Sequence, residues 1–525
     1  MKGDQVVFVS GSDEHGTPIE VEAVRLGVPP KKLTDKNHEK VVGLLKKWSI
    51  SFDNYTRTES PVHKEFVQNH FLKVQNNGYI FTKETELLRC PKCDRFLPDR
   101  FVEGTCPHCG SERARGDQCE ECGRLLETTK LIQPHCTICQ STPIIEKVAH
   151  WYFDLPGFTK QLQEYIENNK QLPENARNFS LNFLKEGLKP RAVTRDNKWG
   201  IPAPFPGSED KTLYVWVEAV LGYVSATIEY FQKRGEKKKW REYWFDKDSK
   251  SLYFIGKDNI PFHTIIFPAL LLAVREDYTL PWNVVSTEFL QFEGQKFSKS
   301  RRIGVWIDEA LQLFPVDYWR YTLLSIRPET KDTNFSWKIF IEKVNSDLND
   351  TLGNFIHRTL SFINRHFGSA VPKPSRLGER DKRTLQSIRK RTEKIAQSLE
   401  TFRLQVALRA AMRLSHLGNK YLNEKEPWNT LKTNSQASAN TLYVAVQIVK
   451  ALAIILEPFI PLTAEKLWGL LNLSGKVHEQ AWSEATVPLQ PGHKISNAAP
   501  LFHKIEATEE ELPGMLEKAR LNAGK

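Results

Sequence analysis

Two rhythms of apolar and polar positions run along this chain, and the change falls near residue 340. Before it, short β-branched runs end in polar, glycine-bearing loops that lead into helical patterns. Residues 5–10 (QVVFVS) run into Gly11-Ser12-Asp13-Glu14-His15-Gly16-Thr17-Pro18 and a helical pattern from Ile19. Residues 252–255 (LYFI) run into Gly256-Lys257-Asp258-Asn259 and a helix from about Pro261, and 283–286 (NVVS) form a third short run. Strand, polar loop and helix in that order predict a parallel α/β sheet. Such sheets bind ligands at the carboxyl ends of their strands, where Asp13 and His15 would stand. Asp13 capping the next helix is the plainer use of the same residue. Residues 213–223 (LYVWVEAVLGY) set Trp216, Ala219, Val220 and Tyr223 on one helical face, a stripe that by pattern alone reads as core before pocket. From about Phe340 to Leu471 the helical period takes over: Leu348, Leu352, Phe355 and Ile356, then 399–417, then 442–471. That stretch predicts a helix bundle.

Composition narrows the class. A chain of 525 residues is long enough for three or four domains at about 150 residues each. With 40% hydrophobic, 11% aromatic and 26% charged residues it can build cores, which excludes a disordered or fibrous chain. The longest unbroken apolar stretch, 265–274, is ten residues and contains Pro268, against about 20 for a membrane span. No membrane is expected as a partner. The opening residues lack the apolar run of a secretory signal, so the cytoplasm is the default compartment. A net charge of +11 suits a polyanionic partner and a solvated basic surface about equally.

The eight cysteines change the picture. All lie between Cys90 and Cys139 as C-x-x-C pairs: Cys90/Cys93, Cys106/Cys109, Cys119/Cys122 and Cys136/Cys139. One such turn points two sulfurs at a single ion, and two turns complete a tetrahedral four-cysteine zinc site. Four pairs within fifty residues fit neither a single redox dithiol nor a secreted disulfide framework. Eight ligands make two sites, and four protein ligands at each leave no open position, so the zinc is structural. Sequential and nested pairings are both open. The nested one is preferred, with Cys106, Cys109, Cys119 and Cys122 around one ion and Cys90, Cys93, Cys136 and Cys139 around the other. Residues 86–147 are poor in apolar side chains, so metal binding would supply their folding energy.

Cationic segments come next. Lys296-Phe297-Ser298-Lys299-Ser300-Arg301-Arg302 has the make-up of a mobile loop meeting phosphates, or of a solvated basic turn. Within the bundle, 373–394 carries nine Lys/Arg against three Asp/Glu. Asn354 and Arg358 share a helix face. Trp428, after Glu426-Pro427, falls near a helix start, where an aromatic beside cations can stack on single-stranded bases or simply pack.

Taken together, FVSGSDEHGTPI (8–19), the knuckles, LYVWVEAVLGY, YFIGKDNIPFH (253–263), KFSKS (296–300) and the LGNFIHR and EPW segments resemble the methionyl-tRNA synthetases, class I aminoacyl-tRNA synthetases, over nearly the whole chain. Four knuckles look like the archaeal type. The resemblance implies a Rossmann-like catalytic domain in two parts, 1–80 and 213–285. Between them lies a connective segment, 81–212, with the knuckles at 90–139. A KFSKS and stem-contact region at 286–340, a helical anticodon-binding domain at 341–480 and a tail at 481–525 follow. It implies ATP-dependent formation of methionyl-adenylate and transfer of methionine to the 3′ end of tRNA(Met), the initiator included, with ATP taken with Mg2+. Asp13 would hold the methionine amino group, while Trp216, Ala219, Tyr223 and His263 would line the thioether pocket. Val220 stands where relatives often differ. Gly256 and Asp258 would contact the ribose and adenine of ATP. Lys296 and Lys299 would offset charge on the reacting phosphates, with Phe297 in place of the commoner Met. Asn354, Arg358 and Trp428 would read the CAU anticodon.

One departure stands out. The family carries an H-I-G-H-like motif between its first strand and first helix, and no such sequence occurs here. The resemblance therefore implies that about 35 residues, a βαβ unit less its last strand, are missing from the N-terminus. The expectation is a chain with little activation activity, which rapid pyrophosphate exchange would overturn. A non-catalytic, zinc-containing tRNA-binding protein of the same fold is the competing reading. A synthetase for leucine, isoleucine or valine is disfavoured, because the connective region has no room for a large editing domain. With no further C-terminal module in view, a monomer is expected.

Overall fold

The structure is a computed structural model and describes residues 3–97, 101–115, 119, 121–122, 126, 128–298 and 301–523. The chain divides into two compact units, one of residues 7–45 and 51–286, the other of 3–6, 46–50 and 287–523.

The first unit opens with strand Val9–Ser12, parallel to Asn54–Arg57 in the register Val9–Asn54 to Ser12–Arg57. Sequence periodicity places this strand at 5–10; it starts four residues later because partners begin there. The Phe8 amide instead donates to the Asp53 carboxylate at 2.7 Å. The strand runs on through the loop-like Gly11 because the two backbones close up at that point. A Cβ on residue 11 would meet the Thr56 carbonyl oxygen at 2.9 Å, so only glycine keeps the register. Helices Thr17–Leu26 and Pro61–Asn76 follow the two strands.

The stretch 213–223 is two helices, Val215–Ala219 and Gly222–Lys233, the second packing over both strands. Strand Leu252–Gly256 pairs with Asn283–Thr287. Between them the chain passes through a π-turn, Phe262–Ile266, into the buried helix Phe267–Ala273. Among the described residues the two strand pairs are separate ladders and not one continuous sheet.

Ile80–Cys90 and Ile144–Phe153 form a long antiparallel ribbon that carries the knuckles at its far end. The small core there contains Leu88, Leu97, Phe101, Val102, Ala114 and Leu131 beside four buried cysteines. That is little apolar surface for a self-standing module.

The second unit begins with a three-stranded sheet, Gln295–Lys296 antiparallel to Leu290–Phe292, which is parallel to Thr333–Phe335. The helices Asn354–His366, Glu379–Glu400, Leu404–Lys425, Pro427–Thr433 and Ser435–Ile455 follow as a bundle. Ser435–Ile455 is long and apolar enough to cross a membrane, yet nearly all of its residues are buried within the bundle. A search for unbroken apolar runs passes over it, because Asn440, Thr441, Gln447 and Lys450 interrupt the run. The segment 481–525 reads as a polar tail from sequence, but Leu489, Ile495, Phe502, Ile505, Leu512 and Leu516 enter the core of this unit. Apart from the short helical end expected after Leu512, these residues stand singly or in pairs, too few in a row to show a period.

Candidate active site and metal centres

The end of strand Val9–Ser12 and the helix Val215–Ala219 enclose a cavity of about 230 Å³. Its walls include Ser10 to Asp13, Thr56 to Thr58, Trp216, Ala219, Val220, Tyr223, Asn259 and His263. The four stripe residues 216, 219, 220 and 223 thus face one cavity with Asp13. Trp216 is half exposed at its edge, its ring set edge-on to Phe262 with centroids 4.8 Å apart. Asp258 and Gly256 belong to the neighbouring strand end and turn; neither lines this cavity, although Asn259 between them and His263 does.

Asp13 sits in a recess open enough to admit water, yet protein surrounds it on most sides. This desolvation, with the Glu218 carboxylate nearby, pushes its pKa up to about 7. Glu218 is fully buried. It accepts from His15 Nδ1 at 2.7 Å and from His63 Nε2 at 2.7 Å, and these bonds outweigh burial to hold its pKa below the usual range. His15 also donates through Nε2 to Glu59 at 2.9 Å, and Lys64 lies 2.5 Å from Glu59. Burial alone would discharge His15, but its two carboxylate partners hold its pKa at about 9. Beside it, Arg57 binds Glu14 at 2.6 Å and Asp35 at 2.8 Å.

The apolar end of the cavity has its own polar logic. His263 Nδ1 lies 2.9 Å from the Asn259 carbonyl, which only accepts, so Nδ1 carries the proton. Nε2 then accepts from the Tyr223 hydroxyl at 2.8 Å. Burial lowers the pKa of His263 and raises that of Tyr223 to about 12, so both are neutral and the wall is uncharged.

The cysteine sulfurs gather into two tetrads, Cys90–Cys93–Cys136–Cys139 and Cys106–Cys109–Cys119–Cys122, each within 4.8 Å. This is the nested arrangement. A tetrahedral ion with bonds near 2.3 Å spaces its sulfurs by about 3.8 Å. The closest contacts here are 3.4 Å for Cys90–Cys139 and 3.9 Å for Cys93–Cys136. In the other tetrad Cys106–Cys122 is 3.9 Å and Cys109–Cys119 is 3.6 Å. The donor sets fit zinc and are far too open for disulfides.

In the second unit, Arg358 donates to Asn423 at 3.1 Å and lies 5.1 Å from the ring centre of Trp428. The two share a cavity of about 200 Å³ with Phe362, Arg365 and His366. Asn354 is exposed one turn earlier on the same helix and is not part of its wall. Lys296 is exposed on its short strand, its ammonium 5.9 Å from the Phe289 ring. Lys299 lies outside the described residues.

Sequence reading named the cavity's aromatic wall but not Glu218, Glu59, His63 or Arg57. Glu218 did leave a signal: a lone carboxylate inside VWVEAVLGY is costly to bury without a partner. His63 and Glu59 left none, since nothing local distinguishes them.

The chain as a whole is similar to known proteins. A family model described as tRNA synthetases class I (M) matches residues 1–360. A second, the anticodon binding domain of methionyl tRNA ligase, matches residues 371–514. The chain belongs to the class I tRNA synthetases, and to their methionyl branch. Methionine–tRNA ligases of Thermofilum pendens and Korarchaeum cryptofilum are each 54% identical to it, covering 99% of this chain and 91% of theirs. A methionyl-tRNA synthetase structure from Mycobacterium tuberculosis, bound by methionyl-adenylate, shares the fold with a TM-score of 0.78 at 23% identity, over 95% of this chain and 92% of that one.

Proposed function

We propose that the cavity at the end of Val9–Ser12 holds methionine while ATP activates it. The chain is a class I methionine–tRNA ligase, an ATP-dependent enzyme. A methionine carboxylate oxygen attacks the α-phosphorus of ATP, the bond to the bridging oxygen breaks, and pyrophosphate leaves. A terminal ribose hydroxyl of tRNA then attacks the acyl carbon and AMP departs. A non-catalytic binding role is not favoured, because relatives that align over 99% of this chain and 91% of their own length are ligases.

One observation carries the reading: Asp13 shares a single small cavity with Trp216, Ala219, Val220, Tyr223 and His263. A carboxylate hook at one end and an uncharged aromatic slot at the other suit an α-ammonium and a soft, polarizable thioether. At about 230 Å³ the space is below the roughly 300–1,000 Å³ of pockets for drug-sized ligands, so it fits the amino acid and leaves the nucleotide outside. In this reading Gly256 and Asp258 take the adenosine, and Lys296 and Lys299 offset charge on phosphates that arrive with Mg2+. Asn354, Arg358 and Trp428 read the anticodon by base-edge bonds and stacking. The two cysteine tetrads hold structural zinc.

Calorimetric titration with methionine tests the assignment. Asp13→Asn removes a charge-assisted bond of about 1.5–3 kcal/mol, so methionine affinity falls about 10- to 150-fold. Unchanged affinity, or leucine binding as tightly as methionine, would refute it.

A further inference from the structure

The loop that presents Asp13 is tied down by its neighbours, and the strongest tie is chemically unusual. His15 is 5% exposed and both ring nitrogens face carboxylates, Glu218 at 2.7 Å and Glu59 at 2.9 Å. Ionised carboxylates only accept, so a ring satisfied on both sides carries both protons. The next residue back is pinned as well. The Glu14 amide donates to Thr58 at 3.0 Å, and its carbonyl accepts from Trp199 Nε1 at 2.6 Å. The Trp199 ring also closes edge-on over His15 at 5.7 Å. The positive charge of His15 and its backbone N–H both act to lower the pKa of the adjoining Asp13 carboxylate.

We propose that His15 is a positioning residue for methionine binding: clamped as a cation between Glu59 and Glu218, it fixes the loop that presents Asp13 and favours the ionised form of that carboxylate. The inference rests on the methionine site proposed above. Without a neighbouring cation, Asp13 would face the Glu218 and Glu14 carboxylates uncompensated, and it would take up a proton more readily. The other cations are already committed, Lys64 to Glu59 and Arg57 to Glu14 and Asp35, while His63 hydrogen-bonds Glu218. His38 lies 3.7 Å from Glu14 and 2.9 Å from the Ser12 hydroxyl. His15 is the cation left to balance Asp13 among the described residues of this network.

The test is methionine affinity as a function of pH, in wild type, His15→Gln, Glu59→Gln and Asp13→Asn. A glutamine at 15 bonds one carboxylate but carries no charge. Methionine binding by His15→Gln should weaken about fivefold at pH 7 and recover to within about twofold at pH 8.5, its midpoint having moved up by about one pH unit. Glu59→Gln keeps the ring and weakens the clamp, so its midpoint should move the same way by less; it serves as the test if His15→Gln does not fold. Weakening by the same factor at every pH would mean a merely structural role and overturn the proposal, as would wild-type affinity throughout. Asp13→Asn separates the two claims. Wild-type affinity in that variant defeats the methionine site itself, whereas weak, pH-independent binding there with an unshifted His15→Gln profile defeats only the role of His15.

Discussion

The Tyr223–His263 pair shows how much one carbonyl can decide. Because Asn259 can only accept, the His263 tautomer is set, and the Tyr223 hydroxyl must donate into the wall. Tyr223→Phe leaves a buried ring nitrogen without a donor, at a cost of about 1–3 kcal/mol in urea unfolding. Combined with His263→Phe the losses should not add, with a coupling of about 1 kcal/mol. Asp13 carries a different signature. Its folded pKa of about 7 lies above the ordinary 3.8, so between those values the folded chain holds a proton that the unfolded chain has released. Stability must therefore fall as pH rises through that window. In calorimetric melts, Asp13→Asn should match wild type near pH 4 and exceed it increasingly toward pH 8. The residue that function needs charged is one that folding prefers neutral.

At the scale of elements, the helical stripe at 213–223 and the bundle follow from local periodicity, but their detail follows from packing. The stripe breaks into two helices, and this turn delivers Trp216, Ala219, Val220 and Tyr223 to a cavity while Val217 and Glu218 are buried. In the bundle, helix Leu404–Lys425 crosses Asn354–His366 at Gly418. A Cβ there would sit 2.3 Å from Phe355 Cζ, and that ring is fully buried. Ala at a helix interior gains about 1 kcal/mol over Gly, but overpacking costs about 1–3 kcal/mol and the rigid ring cannot step aside. Overpacking wins. Gly418→Ala should lower the melting temperature, and Phe355→Leu in the same chain should restore part of it.

Across the whole molecule, the knuckles are the part that its own side chains hold least well. Among the described residues, six apolar side chains besides cysteine are buried in that core, against more than fifty in the core of the second unit. Two zinc ions per chain are expected by mass spectrometry of the intact protein, and one after Cys106→Ser. A strong chelator should open 90–139 to proteases while the helical signal of the bundle persists, because the metal supplies folding energy only where it binds. Loss of helix in step with zinc would contradict this.

The knuckles, the polar loops after strands and the switch to helical period near residue 340 are all legible in the sequence. Each is written within a few residues, where spacing and turn chemistry act directly. The fate of the apolar helix Ser435–Ile455 and of the segment after Ala481 is not, since burial depends on what the rest of the unit leaves uncovered. Nor is the partnership of His15 with Glu218, 203 positions apart. A buried charge must be answered by another charge or a hydrogen bond, but nothing in the chemistry of either residue says from which part of the chain the answer comes. Only folding brings those two together, and the same step decides that Asp13 and the aromatic stripe share a single cavity.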